Sequence, residues 1–385
     1  MHLVINKGDI IDGLRKASDM MPTRAGAAYL RTAWLKAESG QLNIMATDSN
    51  IELMGSYKAE VKEEGLAGVN GRAIYELFRR LPDGPIAISD DSESGNILIT
   101  QGKKKYKLPV SDVAWFQTPA VFPEDHSVFW SGEFIQELID RVYFCISDDD
   151  GKEAISCMCL KPVPSSQHIE VCGLNIHQFA MVKFMNDDLQ SLLGESGILI
   201  QRKYLLELKN WITSDEVEIA ISNKRLFFRT SDKTEIFSLP LSYYQYPDYE
   251  AFLAKVRTQD ILTVVAEKSD LISALERIMI FNSESNRWTN FDFSERELTL
   301  SAQGQEVGSA VETIDILISG ASERIAFPTK NLIEILGKFR SNKIKMLISG
   351  QEGPCGITGD EDDNYLVIIM PMKIAKQTYY TEEEA

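Results

Sequence analysis

Three copies of one helix-like pattern recur along this chain, and they constrain its fold more than any other feature. The copies run from Asn70 to Leu81, from Gln201 to Ile212 and from Pro328 to Phe339, with starts 131 and 127 residues apart. In each copy the apolar residues recur every three or four positions, which predicts an amphipathic helix with one face on a core. A repeat of this length indicates several similar units rather than one large core.

Other elements recur at the same period. Strand-like runs follow these helices and end at Ser89, Ser222 and Ser349. A second helix pattern begins near residues 9, 133 and 270, each time after a short alternating run that is typical of a strand. The order predicts an α+β fold of three similar domains, at residues 1–125, 126–255 and 256–385, the last with a short acidic C-terminal extension. The alternative is that amphipathic helices look alike and match by chance.

The bulk composition narrows the class of protein. The 385 residues carry a net charge of −17, which alone argues against a nucleic-acid partner because phosphate repels an acidic surface. The first residues lack the apolar run of a signal peptide, and no apolar stretch of about 18 residues would cross a membrane. Five cysteines, an odd number, indicate reduced thiols. We therefore expect a cytoplasmic protein with no membrane partner.

Positive charge is concentrated on the three later helices, each of which has a net charge of +2. Their apolar stripes face the cores, so their basic residues fall on or near the opposite faces. If three domains surround one axis, these faces line a wall that contacts DNA phosphates without reading bases. The earlier helices add Lys7, Arg15, Lys16, Arg141 and Lys268. The predicted DNA-binding residues are Arg24, Arg72, Arg79, Arg80, Arg202, Lys203, Lys209, Arg277, Lys330 and Lys338.

Four segments resemble bacterial DNA polymerase III beta clamps. Residues 365–374 (YLVIIMPMKI) are similar to the C-terminal strand of that family, and residues 246–249 (YPDY) to its domain-junction motif. Thr47 and Asp48 resemble a strand end of its first domain, and residues 102–108 (GKKKYKL) resemble its basic and aromatic segment. The likeness extends along essentially the whole chain to Ile374.

The resemblance implies a fold in which helices line an inner surface and antiparallel sheets lie outside, with two protomers closed head to tail into a ring. It implies a non-catalytic processivity factor that encircles duplex DNA without sequence preference and uses no cofactor. The implied partners are a second copy of the chain, the DNA polymerase III alpha subunit, the clamp loader complex and other proteins with a clamp-binding motif.

The resemblance also implies a groove that accepts short peptide motifs from these partners. Apolar and Met side chains suit a plastic cleft that binds several peptides. This chain has LNIHQF at residues 174–179 where the family has a TDGHRL-type run, so the groove would be more apolar and would lack one cation. The implied groove residues are Ile155, Leu174, Ile176, His177, Gln178, Phe179, Pro247, Phe252, Ile368, Met370, Pro371, Met372 and Lys373.

The ring contact implied by the resemblance joins opposite ends of two protomers. Lys103, Lys105 and Tyr106 of one protomer would face Ile280 and Phe281 of the other. A small apolar centre surrounded by ion pairs suits an interface that must reopen.

Two rival functions stay open on the sequence alone. The first is a metal-dependent phosphohydrolase or nuclease that uses the runs Asp148–Asp150 or Asp360–Asp363, although neither has the spacing of a calcium loop. A zinc site at Cys157, Cys159, Cys172 and His177 is disfavoured because residues two apart on a strand merely share a face. The second rival is a protein scaffold that never touches DNA. No phosphate-binding glycine motif is present. Together with the resemblance, which implies a non-catalytic protein, this leads us to expect no enzyme activity and no metal.

Overall fold

The protein is described by a computed structural model over residues 1–22, 27–91, 94–213, 216–258, 261–284, 286–304, 306–321 and 324–373. The helices in these ranges are α1 Lys7–Asp19, α2 Gly71–Arg80, α3 Gly132–Val142, α4 Asp187–Leu193, α5 Arg202–Trp211, α6 Glu250–Lys255, α7 Lys268–Met279 and α8 Thr329–Leu336. Short 3-10 turns lie at Ala28–Arg31, Val113–Trp115 and Tyr143–Cys145.

The strands fall into three successive sets. The first set is β1 His2–Asn6, β2 Thr32–Glu38, β3 Gln41–Thr47, β4 Glu52–Lys58, β5 Glu60–Glu63, β6 Gly65–Asn70, β7 Pro85–Asp91, β8 Asn96–Gln101 and β9 Lys104–Ser111. The second is β10 Ser127–Ser131, β11 Cys157–Pro162, β12 His168–Leu174, β13 Gln178–Met185, β14 Ile198–Gln201, β15 Glu216–Ser222, β16 Arg225–Thr230 and β17 Glu235–Pro240. The third is β18 Leu262–Glu267, β19 Trp288–Phe293, β20 Glu297–Gly304, β21 Gly308–Asp315, β22 Leu317–Ser319, β23 Ile325–Pro328, β24 Lys343–Ile348, β25 Cys355–Gly359 and β26 Tyr365–Ile369.

The same order of elements occurs three times. Each repeat runs strand, helix, three strands, one variable element, strand, helix and three strands, and the variable element is β5, α4 or β22. The predicted helices and strands are therefore confirmed, except that α8 ends at Leu336, before Phe339. The segment after β17 forms the short helix α6.

One contact recurs between the two long helices of each repeat. The Lys7 ammonium donates to the carbonyl of Leu81, 2.7 Å away, and the Lys268 ammonium donates to that of Phe339 at 2.8 Å. In the second repeat the amide of Gln136 donates to Lys209 and Ile212 carbonyls. Donors at these positions satisfy carbonyls that a helix end leaves unpaired. Lys7 and Lys268, which the sequence pattern assigned to a basic face, therefore hydrogen-bond to backbone carbonyls near the ends of α2 and α8.

The chain packs into two compact units, and the second repeat is divided between them. The first unit contains residues 1–139, 187–194 and 203–243. Its strands form one antiparallel sheet in the order β10-β15-β16-β17-β4-β3-β2-β6-β9-β8-β7-β1-β5. The domain ranges 1–125, 126–255 and 256–385 stay a prediction.

The core of the first unit lies between this sheet and the helices. Ile10, Leu14, Ile74 and Phe78 project from α1 and α2 and are almost fully buried. Each such side chain contributes roughly 1.5–3 kcal/mol on burial. Lys16 on α1 is also buried and forms an ion pair with Glu235 at 2.7 Å. Its assignment to an exposed basic face was wrong, because the side chain reaches through the core side of the helix to β17.

The second unit contains residues 140–186, 195–202 and 244–385. Its larger sheet has the order β14-β11-β12-β13-β26-β25-β24-β18-β22, and its smaller sheet has the order β21-β20-β19-β23. Arg141 is buried and pairs with Asp362 at 2.9 Å, so its proposed place on a basic face was also wrong. Within the described ranges, no helix is both long and apolar enough to cross a membrane.

Candidate functional site

Helix α2 presents two of its predicted DNA contacts to solvent. Asn70 caps this helix by accepting from the Ala73 amide at 2.9 Å, which fixes where it begins. Arg79 and Arg80 are exposed and both pair with Glu76, at 2.9 Å for Arg79. Hydrogen bonds from these arginines lower the pKa of Glu76. Exposed pairs of this kind are weak, so both guanidinium groups stay available to a phosphate.

Arg72, on the same helix, is placed differently. Its Nη2 donates to the Met21 carbonyl at 2.9 Å, and the side chain is half-buried. Its guanidinium thus ties α2 to the chain segment after α1. Arg24 lies outside the described residues.

Helix α5, helix α8 and the turn directly after α8 carry the next group of predicted contacts, and several of these cations lie over aromatic rings. In the second unit the Arg202 guanidinium lies 4.3 Å from the centre of the Tyr143 ring, and the Lys338 ammonium lies 5.7 Å from that of Phe144. Lys330 is exposed at the start of α8. Rings beneath a cation hold it by electrostatic attraction, usually worth about 0.5–1 kcal/mol at exposed sites.

In the first unit, Lys203 is exposed, with its ammonium 5.0 Å from the Tyr204 ring centre, and Lys209 is half-buried. Arg277 on α7, in the second unit, is exposed and pairs with Glu312 on β21. Hydrogen bonds from Arg277 lower the pKa of Glu312. This ion pair was not predictable from local spacing because its partners lie 35 residues apart. DNA contact by these residues stays a prediction.

The implied groove begins at a tight turn between β12 and β13. Asn175 Oδ1 accepts from the amides of His177 and Gln178, each at 2.8 Å, and the Asn175 amide donates to the Gln178 carbonyl at 2.9 Å. This Asx turn projects Ile176 and His177 into solvent, with Ile176 63% exposed. An apolar side chain held out at a turn is a ready contact for a peptide.

The C-terminal strand completes the same edge. Phe179 on β13 pairs with Ile368 on β26, and the Met370 amide donates to the His177 carbonyl at 2.9 Å. Met372 donates to Ala326 at 2.8 Å, which holds the segment after β26. Most of the predicted groove residues are therefore brought together on one side of the second unit.

The floor and rim of the groove have different exposures. Leu174, Phe179 and Ile368 are buried in one apolar cluster, against which Ile155 packs. Tyr249, just before α6, stacks on Phe179 with ring centres 5.1 Å apart. The exposed or half-exposed rim consists of Ile176, His177, Pro247, Phe252, Met370, Pro371, Met372 and Lys373.

Gln178 departs from the expectation for a groove residue. It is buried, with 5% of its surface exposed, and its Nε2 has no hydrogen-bond partner among the described residues. Its Oε1 accepts from Asn175 at 3.4 Å. The side chain therefore supports the turn, and the only cation at the rim, within the described residues, is Lys373, which is 85% exposed and 3.9 Å from Glu352.

Polar groups under α6 hold it on the sheet. The Tyr249 hydroxyl donates to Glu170 at 2.5 Å, and Glu170 also pairs with Lys183 at 2.8 Å. Burial, the neighbouring Cys172 and the bond to Glu170 raise the pKa of Tyr249 well above its usual range. The hydroxyl therefore stays a donor at any ordinary pH, and sequence reasoning missed this contact because it joins residues 79 apart.

The predicted ring-contact residues lie near open sheet edges. Lys103 is in the turn between β8 and β9, and Lys105 and Tyr106 are on β9, where residues 104–109 pair with β8 alone among the described strands. In the second unit β21 pairs with β20 alone in the described part. Ile280, directly after α7, is 69% exposed, and Phe281 is half-buried.

One residue of the rival metal sites, Asp362, has a structural role. Asp362 is buried and its Oδ2 accepts from the Arg340 amide and from the amide and hydroxyl of Ser341. Burial opposes its ionisation, but these bonds and Arg141 outweigh it and lower the pKa of Asp362. No group of three or more potential ligands converges in the described parts of the chain.

The cysteines lie in apolar surroundings. All five are free and buried, and Cys157, Cys159 and Cys172 belong to the cluster beneath the groove. Burial raises the pKa of Cys159 to about 12. The Cys159 thiol is therefore a poor nucleophile and a poor metal ligand at neutral pH.

Two family models match the chain. The DNA polymerase III beta subunit N-terminal domain matches residues 1–119, and the C-terminal domain of the same subunit matches residues 258–373. Together they cover more than half of the chain. The beta sliding clamp of Pseudomonas aeruginosa is 23% identical, and that of Vibrio cholerae is 22% identical; each alignment covers 97% of this chain and 100% of the relative.

Solved structures show the same architecture. The DNA polymerase III subunit beta from Pseudomonas aeruginosa superposes with a TM-score of 0.88 at 22% identity, and the subunit from Thermotoga maritima with 0.85 at 18% identity. Both comparisons cover 97% of this chain and 100% of the other. The predicted fold class is thereby confirmed.

Proposed function

Since the chain belongs to the DNA polymerase III beta subunit family, we propose that it is a sliding clamp, a non-catalytic processivity factor that encircles duplex DNA and tethers the replicative polymerase. The observation that carries the proposal is the match of both end domains to this one family. Helices α2, α5 and α8 hold the same place in the three repeats, and each carries at least one basic residue. This recurrence supports a role for these three helices in facing the DNA. A wall of such cations attracts phosphate without reading bases, and this suits sliding.

Ring closure by two protomers is supported by complementary strand edges. Open edges expose unpaired amide and carbonyl groups that readily pair with another strand. The segment around the open part of β9 is basic, with Lys103, Lys104 and Lys105, whereas β21 carries Glu312 and Asp315. We propose that β9 of one protomer pairs with β21 of the other, with Ile280 and Phe281 at the apolar centre.

Partner binding is assigned to the groove at the β12–β13 turn. Its apolar floor and its rim of Ile176, Phe252 and Met372 fit an extended peptide with aliphatic or aromatic anchors. We propose that short motifs of the DNA polymerase III alpha subunit, the clamp loader and other clamp-binding proteins occupy it. The buried free thiols fit a reducing compartment, and we place the protein in the cytoplasm.

Primer extension tests this function. DNA polymerase III core is supplied with clamp loader, ATP and this chain on a long, singly primed circular template. The proposal predicts products many times longer than those made without the chain. Product lengths that do not depend on the chain, with a known clamp active in the same reaction, would refute it.

A further inference from the structure

The groove of the second unit has a counterpart in the first unit that no prediction covered. The β3–β4 turn repeats the β12–β13 turn bond for bond. Asp48 Oδ1 accepts from the amides of Asn50 and Ile51, each at 2.8 Å, and the Asp48 amide donates to the Ile51 carbonyl at 3.3 Å. Asp48 thus stands where Asn175 stands in the groove.

Sheet pairing extends this equivalence. Thr47 pairs with Glu52 across the first turn, as Leu174 pairs with Phe179 across the second. The strand after the first turn, β4, then pairs with β17, just as β13 pairs with β26. Both turns therefore sit where a strand of one repeat joins the last strand of the next.

The segment that links two successive repeats, here called the connector, also crosses each of the two sites. The first connector lies between β9 and β10, and the second lies between β17 and β18. In the second unit Tyr249 of the connector stacks on Phe179. In the first unit the Ala120 amide of the connector donates to Glu52, the position equivalent to Phe179, at 3.0 Å. Phe116 of this connector packs edge-on against Trp34, with ring centres 5.3 Å apart.

A cleft lies between the turn and this connector. Tyr29, Trp34 and Trp115 supply aromatic walls, and the remainder is lined by Met45, Ala46, Thr47, Glu52, Gln117 and Pro119. Tyr29 and Trp115 are 41% and 44% exposed. Large rings held at the surface around a concave site are typical of recognition surfaces.

The two sites differ in charge at equivalent positions. The groove has neutral Asn175 and apolar Phe179, whereas the first turn has the carboxylate of Asp48 and the cleft beside it has that of Glu52. Arg225 lies 3.5 Å from Glu52 and offsets part of this charge. Asp112, exposed at the start of the turn that carries Trp115, adds another carboxylate. Aromatic faces combined with net negative charge attract cations.

We propose that this cleft, lined by Tyr29, Trp34, Trp115 and Glu52, is a second docking site, which takes a lysine or arginine side chain of an extended partner segment. This second site rests on the proposed function, because the peptide groove is the site to which the cleft is equivalent. The clamp would then hold two partner segments of different chemistry, one apolar and one cationic.

The test uses the full chain labelled with 5-fluorotryptophan and two matched probes, N-acetyl-arginine amide and its neutral isostere N-acetyl-citrulline amide. The proposal predicts a saturable shift of the Trp115 fluorine signal with the arginine probe and binding at least fivefold weaker with the citrulline probe. Tyr29→Leu should weaken arginine binding at least threefold, whereas Tyr243→Leu, which alters another exposed tyrosine of the same unit, should leave it unchanged.

Three outcomes would overturn the proposal: no saturable shift, equal binding of both probes, or equal effects of the two leucine variants. Failure of the proposed function is seen separately. Ile176→Asp should abolish binding of a polymerase alpha-subunit peptide and leave the arginine titration unchanged. Binding of the arginine probe without any peptide binding by the wild-type chain would refute the groove and leave the cleft standing.

Discussion

Removal of the two cations at the start of α5 should change how DNA binding depends on salt. The variant is Arg202→Ala with Lys203→Ala. The Arg202 guanidinium lies over Tyr143 and the Lys203 ammonium over Tyr204, so both are held near the helix surface without a carboxylate partner in the ion pairs seen among the described residues. In contrast, Arg79 and Arg80 share Glu76.

The magnitude follows from counterion release. Each phosphate contact contributes about −0.9 to the slope of log K against log salt for duplex DNA, so losing two contacts should make the slope shallower by about 1.8. Over a fourfold rise in salt, from about 50 to about 200 mM, the wild-type chain should therefore lose about twelvefold more affinity than the variant does. Each loss of about 0.9 in the steepness of the slope corresponds to one cation that no longer contacts a phosphate.

The assay is a salt titration of equilibrium binding to a short linear duplex, which the ring can enter and leave over the ends, with Lys58→Ala plus Lys62→Ala as control. Lys58 is exposed at the end of β4 and Lys62 is exposed on β5, so the control removes the same amount of positive charge from a different place. It should leave the slope unchanged. Equal slopes for all three proteins, or the same change in the control, would refute the assignment of α5 to the DNA-facing wall.

Three further changes have defined outcomes. Asp362→Asn should lower the free energy of unfolding by about 3–5 kcal/mol at pH 7, because it leaves the Arg141 charge buried without its partner. Since the folded-state pKa of Asp362 is lowered, its contribution is present above the unfolded pKa of about 3.9 and is lost as pH falls through the folded value. Denaturant titrations should show the gap to wild type narrowing below that range; a gap independent of pH would contradict the linkage. Phe252→Ala should weaken polymerase-peptide binding by about 1–2 kcal/mol by calorimetry, whereas Phe129→Ala, on a similarly exposed ring of β10, should not; equal losses would remove Phe252 from the groove. Ile280→Asp places a charge at the proposed apolar centre, so it should shift the native mass from dimer to monomer without changing the circular dichroism. A variant that is still a dimer would show that Ile280 does not lie in the interface.

The periodic parts of the fold were predictable from the sequence. Apolar spacing located α2, α5 and the strands around them, because these elements bury one face in the same way in every repeat. The C-terminal end of α8 was missed: the apolar pattern continues to Phe339, which is buried, although the helix stops at Leu336. A side chain that follows the helix can still be buried in the core, so the apolar spacing continues beyond the last helical residue.

The fate of individual charges was not predictable. Lys16 and Arg141 look like members of a basic helix face, yet both are buried in ion pairs with Glu235 and Asp362, which are more than 200 residues away in sequence. A sequence of one chain shows which residue types share a helix face but not which distant carboxylate meets them. The groove residues were predicted only through the resemblance to bacterial beta clamps, since neither apolar spacing nor turn residues point to a peptide site, and their role in partner binding stays a prediction.

Topological retention on DNA tests the central claim most directly. The chain is loaded onto nicked circular duplex by a clamp loader, separated from free protein by gel filtration and then treated with a nuclease that cuts the circle once. A ring predicts that the protein stays with the circle and leaves once the DNA is linear, at the same salt concentration. Protein that remains bound to the linear DNA, or never stays with the circle although the loader works with another clamp, would contradict the account.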